Sequence, residues 1–80
     1  MDHKDVGFTI YRGAFSCSWC DKAKDLLEDS GHEYTVEKLG MSDLIIRQAK
    51  EKHHTVPLIY HGVVFIGGFS DLQTYITQKG

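Results

Sequence analysis

Eighty residues suffice for one small domain, so the span 1–80 is read as a single compact unit whose core leaves little surplus stability. A formal net charge of −2, with both signs interspersed, excludes blanket attraction to nucleic acid or anionic lipid, and any charged partner must be met locally. The charged start MDHKDVG does not read as a secretory leader, and no apolar run approaches the roughly 20 residues needed to cross a bilayer, so a cytoplasmic chain without membrane contact is expected.

The first element is Phe8-Thr9-Ile10-Tyr11, β-branched and aromatic and short enough for a strand. A loop from Arg12 to Ser16 leads to a helical pattern over Cys17 to Ser30. There Cys20, Ala23, Leu26 and Leu27 share one face, while Lys22, Asp25, Glu28 and Asp29 occupy the other. Gly31 can close that helix in a left-handed conformation. Tyr34 to Leu39 alternates as a second strand, and a second helix is expected from about Asp43 to Lys52, capped by Ser42.

Pro57 stops helical geometry in the residue before it. Leu58-Ile59-Tyr60 and Val63-Val64-Phe65-Ile66 flank His61-Gly62, the two-residue spacing of a hairpin turn. Ser70 and Gln73 then form a capping-box signature for a last helix that turns Leu72, Tyr75 and Ile76 inward. The order is β-α-β-α-β-β-α. A right-handed crossover makes the first two strands parallel and the hairpin adds two antiparallel ones, giving an α/β fold with a mixed four-stranded sheet flanked by helices.

Both cysteines of the chain lie in Phe15-Ser16-Cys17-Ser18-Trp19-Cys20. A scaffold stapled by disulfides normally carries several pairs closing longer loops, so this pair points to chemistry instead. Cys17 falls in the first turn of a helix, where unpaired N–H groups and the dipole favour a thiolate, and it is expected to be the reactive thiol. Cys20 lies three residues on, lined up with the inward face, and is expected to attack second. Zinc is the competing use of two such thiols, but it needs two further ligands. No histidine follows His32 at three to five residues, and His53-His54 are adjacent, a poor chelating pair. The histidines are read as surface residues without a role. Trp19, between the cysteines, is expected to stand exposed beside a substrate rather than to serve as a hydrophobic cover.

The chain resembles the dithiol glutaredoxins of the thioredoxin-fold superfamily over nearly its whole length. The likeness rests on Cys17-Ser18-Trp19-Cys20, Lys22-Ala23-Lys24 and Leu26-Leu27, followed by Thr55-Val56-Pro57, Gly67-Gly68 and Ser70-Asp71-Leu72. It implies a thioredoxin fold and a glutathione-disulfide oxidoreductase with catalytic Cys17 and Cys20. It also implies a glutathione site built from Arg12, Trp19, Thr55, Val56, Pro57, Gly68, Ser70 and Asp71. Pro57 would be cis and face the cysteines, Val56 would pair its backbone with the cysteinyl part of glutathione, and Asp71 would receive the α-ammonium of the γ-glutamyl end. Arg12 is the nearest basic residue for the glycyl carboxylate, across a loop that looks one residue longer than usual.

Glutathione is then the reductant, and the partners are disulfide-containing or glutathionylated proteins, met by a monomer. Two alternatives accompany this reading. One is an electron donor to ribonucleotide reductase that is itself reduced by thioredoxin reductase. The other is a dimer holding a [2Fe–2S] cluster through Cys17 of each chain and two glutathione thiolates, prompted by Ser18 where many family members have proline.

Overall fold

The computed structural model describes residues 7–13 and 18–79. Cys17, the expected first residue of the first helix, lies outside them. The elements are β1 (Phe8–Arg12), α1 (Ser18–Asp29), β2 (Tyr34–Lys38), α2 (Met41–Glu51), β3 (Leu58–His61), β4 (Val64–Gly67) and α3 (Phe69–Lys79). They form a four-stranded sheet in the order β2-β1-β3-β4. β1 runs parallel to β2 and antiparallel to β3, and β3 runs antiparallel to β4. The expected element order and mixed sheet are both present.

Strand alternation divides the sheet into two unlike faces. On one, Phe8, Ile10 and Ile59 pack with Ala23 and Leu27 of α1 and Leu72 of α3 into a core cluster. At roughly 1.5–3 kcal/mol for each fully buried aliphatic or aromatic side chain, this cluster is the main source of stability. The other face carries Thr9 opposite Tyr60 and Tyr11 opposite Leu58. There the Arg47 guanidinium of α2 lies 4.3 Å from the Tyr11 ring centroid and donates to the Tyr60 hydroxyl at 3.3 Å. The Tyr60 hydroxyl donates in turn to Glu51. Burial, then this carboxylate, pushes the Tyr60 hydroxyl above its usual acidity range.

Four local details differ from the sequence expectation. α2 begins at Met41 rather than Asp43, with Gly40 at its N-cap and no side-chain cap, so Ser42 sits inside the first turn. β2 ends at Lys38, one residue short of the expected Leu39. The hairpin turn is Gly62-Val63, because His61 pairs with Val64. Gly62 has φ +66°, and a two-residue turn of the Gly-X type places glycine first, which shifts the turn by one residue. Finally, α3 starts at Phe69, so the Ser70/Gln73 capping box is replaced by a contact between Gly68 and Asp71.

Two helices end in the same motif with different residues. After α1, Gly31 at φ +76° donates to Glu28 O, and His32 donates to Leu27 O. After α2, Lys52 at φ 55° donates to Ala49 O, and His53 donates to Gln48 O at 3.0 Å. Both are Schellman closures, but Lys52 carries a Cβ in a conformation that disfavours one. Lys52→Gly is therefore expected to stabilise the protein by about 0.5–1 kcal/mol, read as a higher urea midpoint at unchanged slope.

Candidate active site

Three chain segments meet at one end of the sheet: the first turn of α1, the 53–57 connection before β3, and the β4–α3 junction. Between them lies an open cleft of about 280 Å³. Its walls include Trp19 from α1, Thr55, Val56 and Pro57 from the connection, and Gly68, Ser70 and Asp71 from the junction. Seven residues singled out in the sequence are thus brought together. The Val56–Pro57 peptide bond is cis.

Trp19 is exposed over 53 % of its surface. Its ring centroid is 5.6 Å from that of Phe69, and the Lys22 ammonium lies 4.7 Å over the indole. Cation–π attraction and packing therefore hold the indole as a standing wall. Cys20 has no exposed surface and is disulfide-bonded. Cys17, the chain's other cysteine and the expected nucleophile, lies outside the described residues. Arg12 is half-buried at the end of β1, its Nε 3.4 Å from Gly13 O, and it does not line the cleft.

The junction is built around glycine. Gly67 has φ +127°, and a Cβ there would stand 2.3 Å from Asp71 Oδ2 and 2.7 Å from its Cγ. That vacancy lets the Asp71 carboxylate turn back and accept the Gly68 N–H at 3.1 Å. Gly68 O accepts the first helical bond, from Leu72 N at 2.9 Å, so Gly68 is the N-cap and Asp71 the third helical residue. This is the backward half of a capping box, with aspartate in the glutamate position. The N–H groups of Phe69, Ser70 and Asp71 precede that first helical bond, and all three residues line the cleft, so this helix start is a favourable place for a carboxylate.

Two residues of the site were not anticipated. Phe69 follows the glycines with no marking beyond its size, and it faces Trp19. His53, read from sequence as a surface residue, is half-buried in the cleft wall. Its Nε2 is 3.1 Å from Thr55 Oγ1, and its ring meets Phe65 edge-on at 5.6 Å. No sequence signal marked it, because the left-handed conformation of Lys52 immediately before it belongs to a residue type that gives no hint of it. Among the described residues, no group of three or more His, Cys, Asp or Glu side chains could hold a metal ion.

No protein-family model and no curated relative matches the sequence. Solved structures do. A glutaredoxin–glutathione complex from buckwheat superposes with a TM-score of 0.72 at 15% identity, over 96% of this chain and 74% of that one. Glutaredoxin 1 from Francisella tularensis, complexed with cacodylate, superposes with a TM-score of 0.70 at 20% identity, over 92% and 95%. The chain has the thioredoxin fold in its glutaredoxin form.

In that fold the β4–α3 junction is the part of the cleft with least room for change. Gly67→Ala is expected to cost about 1–3 kcal/mol, because it combines a positive φ with a clash against the short Asp71 side chain. Thermal unfolding of the variant measures it, and a melting point equal to wild type would contradict the account.

Proposed function

We propose that the protein is a glutathione-dependent thiol–disulfide oxidoreductase acting through Cys17 and Cys20. The observation that carries this reading is the convergence of the α1 start, the cis Val56–Pro57 segment and the N-terminus of α3 around one cleft. Its support from outside is the glutaredoxin form of the fold and the glutathione bound by the buckwheat neighbour.

In the reaction, the Cys17 thiolate attacks the glutathione sulfur of a glutathionylated protein. The Cys17–glutathione bond forms, the mixed disulfide breaks, and the protein sulfur leaves as a thiolate that takes a proton. A second glutathione thiolate then attacks the glutathione sulfur on Cys17, releasing oxidised glutathione and regenerating the Cys17 thiolate. For a protein disulfide, Cys17 first forms a mixed disulfide with the substrate. Cys20 then attacks Cys17, freeing the second substrate thiol and closing the Cys17–Cys20 disulfide, which two glutathione molecules reduce. The full burial of Cys20 suits this second, intramolecular role.

Glutathione is placed with its γ-glutamyl carboxylate on the open N–H groups of α3 and its ammonium toward Asp71. The cysteinyl backbone lies along Val56, and Trp19 walls the sulfur. Arg12, at the end of β1 and not among the residues that line the cleft, keeps the assignment to the glycyl carboxylate that the family resemblance implies.

Cys17→Ser is expected to abolish reduction of a glutathione mixed disulfide, whereas Cys20→Ser retains it and loses most dithiol reduction. Coupled turnover of glutathionylated and disulfide-bonded substrates separates the two, and an active Cys17→Ser enzyme would overturn the assignment. Asp71→Ala is expected to raise KM for glutathione roughly three- to tenfold, through loss of a partly solvated charged contact, with a smaller change in kcat. An unchanged glutathione dependence would remove Asp71 from the binding site.

A further inference from the structure

The described residues that line the cleft lie in α1, the 53–57 connection and the β4–α3 junction, and none of them belongs to α2. α2 carries three of the exposed large apolar side chains, Met41, Ile45 and Ile46, each open over more than half of its surface. The face that α2 turns to the sheet is a different one. Leu44 reaches Gly13, where a Cβ would stand 3.1 Å from Leu44 Cδ2, while Arg47 lies over Tyr11 and Glu51 accepts from Tyr60. Those three follow the i, i+3, i+7 spacing of an inward stripe.

At about 100° per residue, the opposite side of the helix holds Met41, Ile45 and Ala49 in one row and Ser42 and Ile46 in the next, all exposed. Bulky apolar residues thus alternate with small ones, which leaves grooves that the ridges of a facing helix can enter. The charges at its border decide which helix fits. Asp43 and Lys50, both exposed, lie on the same edge of this stripe, the acid in the first turn of α2 and the base in the last.

When two copies of α2 pack antiparallel about a two-fold axis between Ile45 and Ile46, like edges face each other, and Asp43 comes beside Lys50 of the partner subunit. The two positions are offset by about 3 Å along the helix axis. Side chains lean toward the N-terminus of their own helix, and in an antiparallel pair that lean closes the gap from both sides. A parallel pair would set this edge against the one that Gln48 borders and would align the two helix dipoles. The stripe is therefore self-complementary in the antiparallel sense, as a two-fold contact requires.

We propose that the outer face of α2 is a self-association surface, through which two copies of this chain pair by antiparallel α2 helices. One helix face per copy falls below the roughly 1,200 Å² of standard interfaces, so the dimer exchanges with monomer and has a Kd on the order of 100 µM. No cleft residue takes part, which distinguishes this contact from a dimer formed through Cys17. The proposal is independent of the glutathione reading.

Sedimentation equilibrium of the whole chain from about 10 µM to 1 mM tests it, with a reducing agent present so that no interchain disulfide contributes. Wild type is expected to dimerise across this range. Ile46→Glu, which sets a carboxylate into the apolar contact, is expected to weaken the dimer at least about tenfold. Val63→Ser, which removes a still more exposed apolar side chain from the β3–β4 turn, is expected to leave it unchanged. Asp43→Lys and Lys50→Asp are each expected to weaken self-association about tenfold by bringing like charges together. Mixed in equal amounts, these two single variants are expected to pair with each other about as tightly as wild type pairs with itself, since each supplies the charge that the other lacks. A folding defect cannot produce that recovery.

Wild type that stays monomeric to 1 mM would overturn the proposal. So would a dimer that Ile46→Glu leaves intact, a dimer that Val63→Ser abolishes, or charge variants that gain nothing on mixing.

Discussion

The Asp71 carboxylate turned back onto the Gly68 N–H is the contact on which the cleft depends. It is possible only because residue 67 has no Cβ, and it ties the end of β4 to the start of α3 within four residues. Without it, the N-cap would lose its side-chain partner, and the direction in which the first N–H groups of α3 point would be set only by the packing of Leu72 and Phe69 against the core. In the proposed function the same carboxylate is the partner of a ligand ammonium. One oxygen serves the fold and, on the proposed function, the group as a whole would serve recognition, so substitution of Asp71 would touch both, and the separation of kcat from KM matters more here than total activity.

Across the cleft, the opposing wall is held differently. Trp19 is not buried by the core. It is propped between the ring of Phe69 and the ammonium of Lys22, contacts worth about 0.5–1 kcal/mol each at exposed positions. Such a wall can shift at small cost while the N-terminus of α3 stays fixed. On the function proposed above, specificity for the glutathione end of a substrate would therefore fall to the rigid side, and tolerance of the varied protein on the other side of the disulfide to the yielding one.

The fold was legible because its elements are short and strongly patterned. The face formed by Cys20, Ala23 and Leu27 repeats at helical spacing and is buried as a unit. Gly31 marks the end of α1 by the one property that the left-handed region rewards. The departures share a cause: each turned on a backbone feature without a matching side-chain signal. Ser42 is a better cap than Gly40 on propensity alone, yet the helix runs two residues further back. Ser70 and Gln73 spell a capping box, but the positive φ of Gly67 turns the chain earlier and gives the cap to Gly68. At the site, Thr55, Val56 and Pro57 were visible through a motif. His53 was not, because a lysine in a left-handed closure looks in sequence like one more solvated charge.

That closure links the cleft to the less apolar face of the sheet. α2 buries none of its side chains fully and exposes Met41, Ile45 and Ile46. Arg47 over Tyr11, with Tyr60 bridging Arg47 and Glu51, fastens it to the sheet. The chain leaves this polar, aromatic face through Lys52 and reaches the cleft as His53, Thr55 and Val56, while α1 and α3 arrive from the apolar face. The cleft is the seam between them. Groups from the polar side supply donors and an imidazole ring, groups from the apolar side supply a buried sulfur and an aromatic wall, and the thiol tripeptide of the proposed function, with its charged ends, would use both. In a chain whose net charge of −2 gives no general pull on an anionic ligand, that recognition has to be assembled at the seam from single residues.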